Sequence, residues 1–315
     1  MADNEGPGWE RRVLEGLALA ALHEQRLARR WGIFFKLLFF GCVIYILALI
    51  AGWGVGDSLG EGKHTALVEL QGVIDSDGDA SADRINTALQ SAFDDRNTSG
   101  VIIRVNSPGG SPVQAGIIYD EIRRQRALHP SIPLYAVVED ICASGGYYVA
   151  AAADRIYVNK ASVVGSIGVL MDGFGFTGAM DKVGVERRLF TAGSNKGFLD
   201  PFSPVDPEQR KYAQRLLDDI HQQFIGVVKA GRGKRLKDDP LMFSGLMWTG
   251  QRSIELGLAD DLGTVDSVAR DVIHAEDIVD YTQKDKLVER FAKRIGAGVN
   301  SRLNLSQFPS AWRIR

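Results

Sequence analysis

Only two of the 315 residues are cysteine, Cys42 and Cys142, so no disulfide framework holds this chain together. Cys42 lies in an apolar N-terminal run and Cys142 in mid-chain, and the two are not expected to pair. Cys142 reads either as a reactive thiol or as a small buried filler. Charge of one sign is also missing: 37 lysines and arginines stand against 39 acidic residues, a formal net charge of −2. That balance argues against a nucleic-acid partner, which calls for a basic face. The five histidines (His23, His64, His129, His221 and His274) form no cluster with metal-ligand spacing, so neither a metal nor another cofactor is expected. Asp75-Ser-Asp-Gly-Asp79 resembles the start of a calcium loop, but Gly78 is misplaced and no glutamate closes it; a turn and helix cap is expected there. Gly231-Arg-Gly-Lys234 lacks the spacing of a phosphate loop. Cys142 stands where a Gly-x-Ser-x-Gly elbow around Ser144 would need glycine, which excludes that elbow.

Long uncharged stretches are scarce as well, and the one that matters runs from Leu37 to Val55. As a helix it would be about 28 Å long, enough to cross a bilayer core. Arg11, Arg12, Arg26, Arg29, Arg30 and Lys36 precede it, while Asp57, Glu61 and Lys63 follow. This asymmetry places the N-terminus in the cytoplasm and the bulk of the chain outside it behind a single span, in the periplasm if the cell is a Gram-negative bacterium. A cleaved signal peptide competes with that reading, against an unusually long charged leader and no clear Ala-x-Ala site. Residues 9 to 30 read as a helix, lying on the inner membrane surface or simply solvated. The expected organisation is a basic cytoplasmic segment (1–36), a transmembrane helix (37–55), a glycine-rich linker (56–63), a globular domain (64–280) and a basic amphipathic tail (281–315).

Within the globular part, apolar runs alternate with helical patterns. Strands are expected over 65–70, 101–105, 134–138 and 155–158, and helices over 82–93, 112–128, 144–153 and 204–229, the last with Asp206 as N-cap and Pro207 at its first position. The alternation predicts an α/β fold with a parallel sheet and right-handed crossovers. Catalytic loops then fall at the carboxyl ends of the strands.

Two glycine-rich turns occupy such ends. Asn106-Ser-Pro-Gly-Gly-Ser111 follows the apolar run 101–105, and its unpaired N–H groups suit a developing negative charge. Ala143-Ser-Gly-Gly-Tyr-Tyr148 puts the Ser144 hydroxyl at a helix start among small residues. A nucleophile and a donor pocket are two of the three parts of an acyl-transfer site; the third is a base. No histidine has a setting like that of Ser144. Lys196, in Ala192-Gly-Ser-Asn-Lys-Gly-Phe-Leu-Asp-Pro-Phe-Ser203, is the candidate, with a solvated loop lysine as the other reading. To act as base its pKa of about 10.4 must fall by roughly three units, about 4 kcal/mol against the charged form. Burial against Phe198, Leu199 and Phe202 is the expected source.

Taken in order, Val105-Asn-Ser-Pro-Gly-Gly110, Ala143-Ser-Gly-Gly-Tyr-Tyr148, Val164-Gly-Ser-Ile-Gly-Val169 and Ser194-Asn-Lys196 resemble the signal peptide peptidase A (protease IV) family in its short, single-repeat bacterial form. Met247-Trp-Thr-Gly250 and Gly257-Leu-Ala-Asp260 extend the resemblance, which covers roughly residues 64 to 270. It implies a ClpP/crotonase-like fold carrying a serine–lysine dyad, with Ser144 as nucleophile and Lys196 as general base. It further implies an oxyanion hole from the backbone N–H of Gly145 and of Gly110, rather than Gly109, and a Ser166 hydroxyl holding the lysine ammonium. The histidine that serves the related ClpP falls at Val169 here. The implied substrates are hydrophobic peptides, signal-peptide remnants in particular, and the implied assembly is a homo-oligomer whose serine and lysine meet within or between subunits. A crotonase-like acyl-CoA enzyme and a non-catalytic membrane scaffold are the rival readings.

Overall fold

A computed structural model describes residues 8–50, 62–283 and 313–314. The chain divides into two compact units, the first comprising residues 1–59 and 286–293 and the second residues 60–285 and 294–315. In the first unit a single helix, α1, runs over Trp9–Ile50. It exposes Trp31, Phe34, Phe35, Leu37, Phe39 and Phe40. Among the described residues no helix is long and apolar enough to cross a membrane. The expected span over residues 37–55 continues past Ile50 into residues outside the described ones, as do most of the linker and the C-terminal tail.

The second unit is a mixed α/β structure around a mostly parallel sheet. Its elements begin with β1 (His64–Gln71), α2 (Ala82–Asp94), β2 (Thr98–Ser107), α3 (Pro112–Leu128), β3 (Leu134–Ala143), α4 (Gly145–Ala150) and β4 (Arg155–Val158). There follow β5 (Val163–Gly165), β6 (Met171–Asp172), α5 (Thr177–Val183), α6 (Pro207–Arg232), β7 (Met247–Thr249), α7 (Gly250–Glu255), β8 (Asp261–Leu262), α8 (Val265–Val268), β9 (Ile278–Asp280) and β10 (Arg313–Ile314). The main sheet has the order β7-β5-β3-β2-β1-β9, with β4 and β8 continuing from β3. Among the described residues, only β5 and β7 pair antiparallel within it. β3 pairs β4 through Tyr135–Val137 and β5 through Ile141–Ala143, so its far half serves a second neighbour. A separate two-residue ladder joins β10 to β6.

Alternation along the strands sorts the two faces. Ala66, Val68 and Leu70 of β1 join Val101, Ile103 and Val105 of β2 under α2, α3 and α4, in the larger core. Leu67, Ile102 and Val137 point the other way, into a smaller cluster with Tyr157 and Val268. Farther along that second face Arg104 pairs with Glu69 and, at 3.5 Å, with Glu139.

Helix starts follow local chemistry. Ser111 accepts from Gln114 N–H with Pro112 in the first turn of α3. Asp206 caps α6 by accepting from Glu208 N–H at 2.8 Å, and the helix begins at Pro207 as the expected cap requires, three residues after the outer bound at Pro204. The Asp75–Asp79 stretch is a turn in which the Asp75 carboxylate accepts from Asp77 and Gly78 N–H. It does not cap α2: Ser81 holds the N-cap position without a side-chain bond, and Gln114 Oε1 of α3 accepts from Ala82 N–H at 2.8 Å instead.

Candidate active site

Three chain segments meet at the carboxyl ends of β2, β3 and β5. β2 ends in Pro108-Gly-Gly110, where Gly109 (φ +97°) and Gly110 (φ +149°) hold backbone that side chains rarely adopt. Ile74 fastens this turn, donating its N–H to Gly109 O at 2.9 Å and accepting from Ser111 N–H at 2.8 Å. That pattern leaves the intervening Gly110 N–H without a backbone acceptor among the described residues.

β3 ends at Ser144, which takes φ +50° and starts α4. The strain is maintained on both sides: Ser144 N–H donates to Gly165 O at 2.9 Å, and Ser144 O accepts from Tyr148 N–H at 2.9 Å. Its side chain does not cap the helix. Gly145, at the first helical position, has an N–H with no carbonyl one turn back to receive it. The two glycine turns lie against each other. A Cβ on Gly145 would stand 3.3 Å from Gly110 N, and one on Gly109 would stand 2.7 Å from both Gly145 N and Ser144 Cβ. Gly146 packs equally closely on Ser107, where a Cβ would meet the carbonyl oxygen at 2.9 Å. Glycine is required here because backbone approaches backbone, and that approach brings the Gly110 and Gly145 amides beside the Ser144 side chain.

β5 supplies the third segment. Gly165 (φ +120°) passes under Trp248 of β7, whose ring a Cβ would meet at 2.8 Å. Ser166 follows with φ +51°, its N–H donating to Leu246 O at 2.7 Å. Among the described residues, Ser144 lines two cavities of very different size. One, about 40 Å³, is lined by Gly110, Gly145 and Tyr148, and by Ile220 and Phe224 of α6. The other, about 380 Å³, is lined by Val73, Gly109, Gly110, Ser166, Leu170 and Ser244, among others. The structure therefore brings Ser144, Gly109, Gly110, Gly145 and Ser166 together.

Lys196 lines neither cavity. It sits in a turn, its N–H donating to Gly193 O at 3.1 Å, and its side chain is exposed. The expected burial against Phe198, Leu199 and Phe202 is corrected here, because those groups have other partners. Phe202 stacks on Phe176 with ring centroids 5.3 Å apart, Phe198 meets Tyr212 edge-on at 5.7 Å, and Leu199 is buried beside Gln209, whose Oε1 accepts its N–H at 2.9 Å. Cys142 is fully buried, which pushes its thiol up and leaves it the filler role.

Some contributors carry no signal in the sequence. Ile220, Gln223 and Phe224 reach the small cavity from α6, and His221 Nε2 donates to Ile167 O at 3.1 Å, tying α6 to the segment that carries Ser166 and Gly168. The i, i+4 spacing of Ile220, Phe224 and buried Val228 marks an apolar face without saying that it borders Ser144. The later motifs are structural. Asp260 Oδ2 accepts from Arg232 Nη1 and from Ile156 N–H, both at 2.7 Å, and Leu258 O accepts from the buried Tyr147 hydroxyl at 2.8 Å.

Comparison with known proteins matches residues 126–278 to the family described as Peptidase family S49. A Synechocystis sp. protein with a provisional protease name is 32% identical over 202 residues, covering 64% of this chain and 70% of its own length. The chain belongs to peptidase family S49. Other matches are to parts of longer proteins. A Na(+)/H(+) antiporter NhaA of Brucella melitensis is 44% identical over 209 residues, 65% of this chain but 28% of that protein. Protease 4 of Haemophilus influenzae is 29% identical over 231 residues, 72% of this chain and 36% of its own length. The chain thus spans well under two thirds of both. The S49 match includes Ser144, Ser166 and Lys196 and starts beyond the Gly109-Gly110 turn.

Proposed function

We propose that this S49 protein is a membrane-anchored serine endopeptidase of ClpP/crotonase-like fold that cleaves hydrophobic peptides, among them signal-peptide remnants left after secretion. The observation that carries this reading is Ser144, held at φ +50° at the start of α4 beside two amide N–H groups, those of Gly110 and Gly145. Ser144 Oγ attacks a peptide carbonyl, and the oxyanion that forms is held by those two amides. A base takes the hydroxyl proton and returns it to the leaving amine; water then cleaves the acyl-enzyme by the same route.

Lys196 is that base in this reading. Because its side chain is exposed in the single chain, it is delivered to the Ser144 of a neighbouring copy, where Ser166 holds it. Support comes from the segment that bears it, which exposes Leu170, Phe174, Val183, Val185 and Phe190 as an apolar surface suited to a second subunit. The exposed aromatic and aliphatic side chains of α1 support anchoring, with the N-terminus cytoplasmic and the catalytic unit outside.

A serine-directed fluorophosphonate tests the nucleophile: labelling must map to Ser144 and vanish in Ser144→Ala. Lys196→Ala must lose both labelling and cleavage of a hydrophobic peptide. Co-assembly of the two inactive variants must restore activity, since each supplies what the other lacks. Full activity of Lys196→Ala removes lysine from the mechanism.

A further inference from the structure

The two cavities at Ser144 differ about tenfold in volume, 40 against 380 Å³, and this difference bears on which bond is cut. Resting on the reading of Ser144 as the acylated nucleophile, we infer that the residue on the acyl side of the cleaved bond must carry a small side chain, and that Ile220 and Phe224 set the limit.

The assignment of sides follows from bonding. A carbonyl attacked by Ser144 places its oxygen between the amides of Gly110 and Gly145. The Cα of the acyl residue is bonded directly to that carbonyl carbon, whereas the Cα of the leaving residue is two bonds away. The cavity bounded by Ser144 and by both of these glycines is the small one; the large one touches Gly110 but not Gly145. The acyl residue therefore directs its side chain into the small cavity, and the large cavity receives the chain beyond the cut.

Size then selects. One water-sized sphere occupies about 10–15 Å³, and a cavity of about 150 Å³ holds benzene. By that scale 40 Å³ accepts about three heavy atoms, enough for alanine or serine and at the limit valine. Leucine and phenylalanine exceed it. The wall does not give way easily: Phe224 is 4% exposed, its ring 5.1 Å from that of Tyr148, which in turn meets Tyr119 at 5.6 Å. Enlarging the cavity means displacing three packed aromatic rings. The preferred substrates are then peptides with a small residue before the cut and unrestricted apolar bulk after it.

Peptidyl aminocoumarins that differ only in the residue before the coumarin test this on the full-length protein, with fluorophosphonate labelling of Ser144 run alongside. The alanine peptide is expected to be cleaved with a kcat/KM about 100-fold or more above that of the leucine peptide. Phe224→Ala, and independently Ile220→Ala at a half-buried position, should narrow that ratio about tenfold by raising cleavage of the leucine peptide. A labelled wild-type protein that takes leucine as readily as alanine overturns the inference and leaves the peptidase reading intact. So does an Ile220→Ala protein that is labelled normally and keeps the wild-type ratio. Absence of both labelling and cleavage overturns the peptidase reading and this inference with it.

Discussion

Gly109→Ala separates the catalytic geometry from the stability of the fold. The added methyl would stand 2.7 Å from Gly145 N, 2.7 Å from Ser144 Cβ and 2.9 Å from Ala143 O, against an ordinary contact of 3.4–4 Å. None of these neighbours is a flexible side-chain tip, so relief requires the two glycine turns to part by several tenths of an ångström or more. The backbone at φ +97° adds strain of about 1–3 kcal/mol. Stability should fall by at least that amount, since the contacts add to the strain. Catalysis should fall further, because on the proposed reading the Gly110 and Gly145 amides together hold the oxyanion, and one lost oxyanion donor costs about 10²–10³ in kcat. The measurements are kcat on an alanyl aminocoumarin peptide, the rate of Ser144 labelling, and the thermal midpoint. Gly116→Ala is the control: its methyl would meet nothing within 4 Å inside α3, so stability should rise by about 1 kcal/mol with activity unchanged. A Gly109→Ala protein with wild-type turnover and wild-type stability would refute the argument that contact between these turns sets the donor geometry.

Asp260→Asn should cost about 3–5 kcal/mol in urea melts, since it leaves the Arg232 guanidinium, whose side chain is 0% exposed, without its carboxylate. Burial pushes the Asp260 carboxyl up, but the Arg232 contacts and the Ile156 N–H outweigh it and leave the pKa below its ordinary value. The stabilisation is therefore complete above about pH 4 and is lost as the pH falls from there through the lowered pKa, so the wild type should lose more stability than Asp260→Asn in that acid range; parallel curves would contradict this. Cys142 should resist iodoacetamide in the native protein and react only after unfolding, because burial disfavours its thiolate, and rapid native alkylation detected by mass spectrometry would contradict the packing around it.

The order of strands and helices was legible where local chemistry sets the ends. α3 and β4 occupy the expected residues because Ser111 and Pro112 define one start and Ile156–Val158 form a short apolar run after Arg155. Elements held mainly by a neighbour were not: β7, β8 and β9 have two or three residues each and exist through pairing with β5, β4 and β1. The same division holds at the site. The glycine turns announce themselves because close backbone approach permits no other residue type, and Ser144 because it stands among small residues at a helix start. The walls that set pocket size come from α6, far along the chain, on a face indistinguishable in sequence from ordinary core.

Lys196 illustrates the limit most sharply, because what a lysine needs in order to act as base is cover, and cover comes from elsewhere. Neutralising it near pH 7 takes about 4 kcal/mol of bias against the ammonium. The segment that carries it leaves Phe174 76% and Phe190 92% exposed. Burying one such side chain yields about 1.5–3 kcal/mol, so covering both supplies roughly 3–6 kcal/mol, the same order as the cost of stripping the lysine of water. On the proposed reading, a second copy docking on this segment would offset that desolvation, and an isolated chain would leave Ser144 unlabelled. Phe190→Asp should then weaken assembly and Ser144 labelling together, with the thermal midpoint of the folded unit unchanged because the side chain touches little within its own chain. Sedimentation and labelling on one sample decide it: a monomeric Phe190→Asp protein that is still labelled at the wild-type rate would place the base within a single chain.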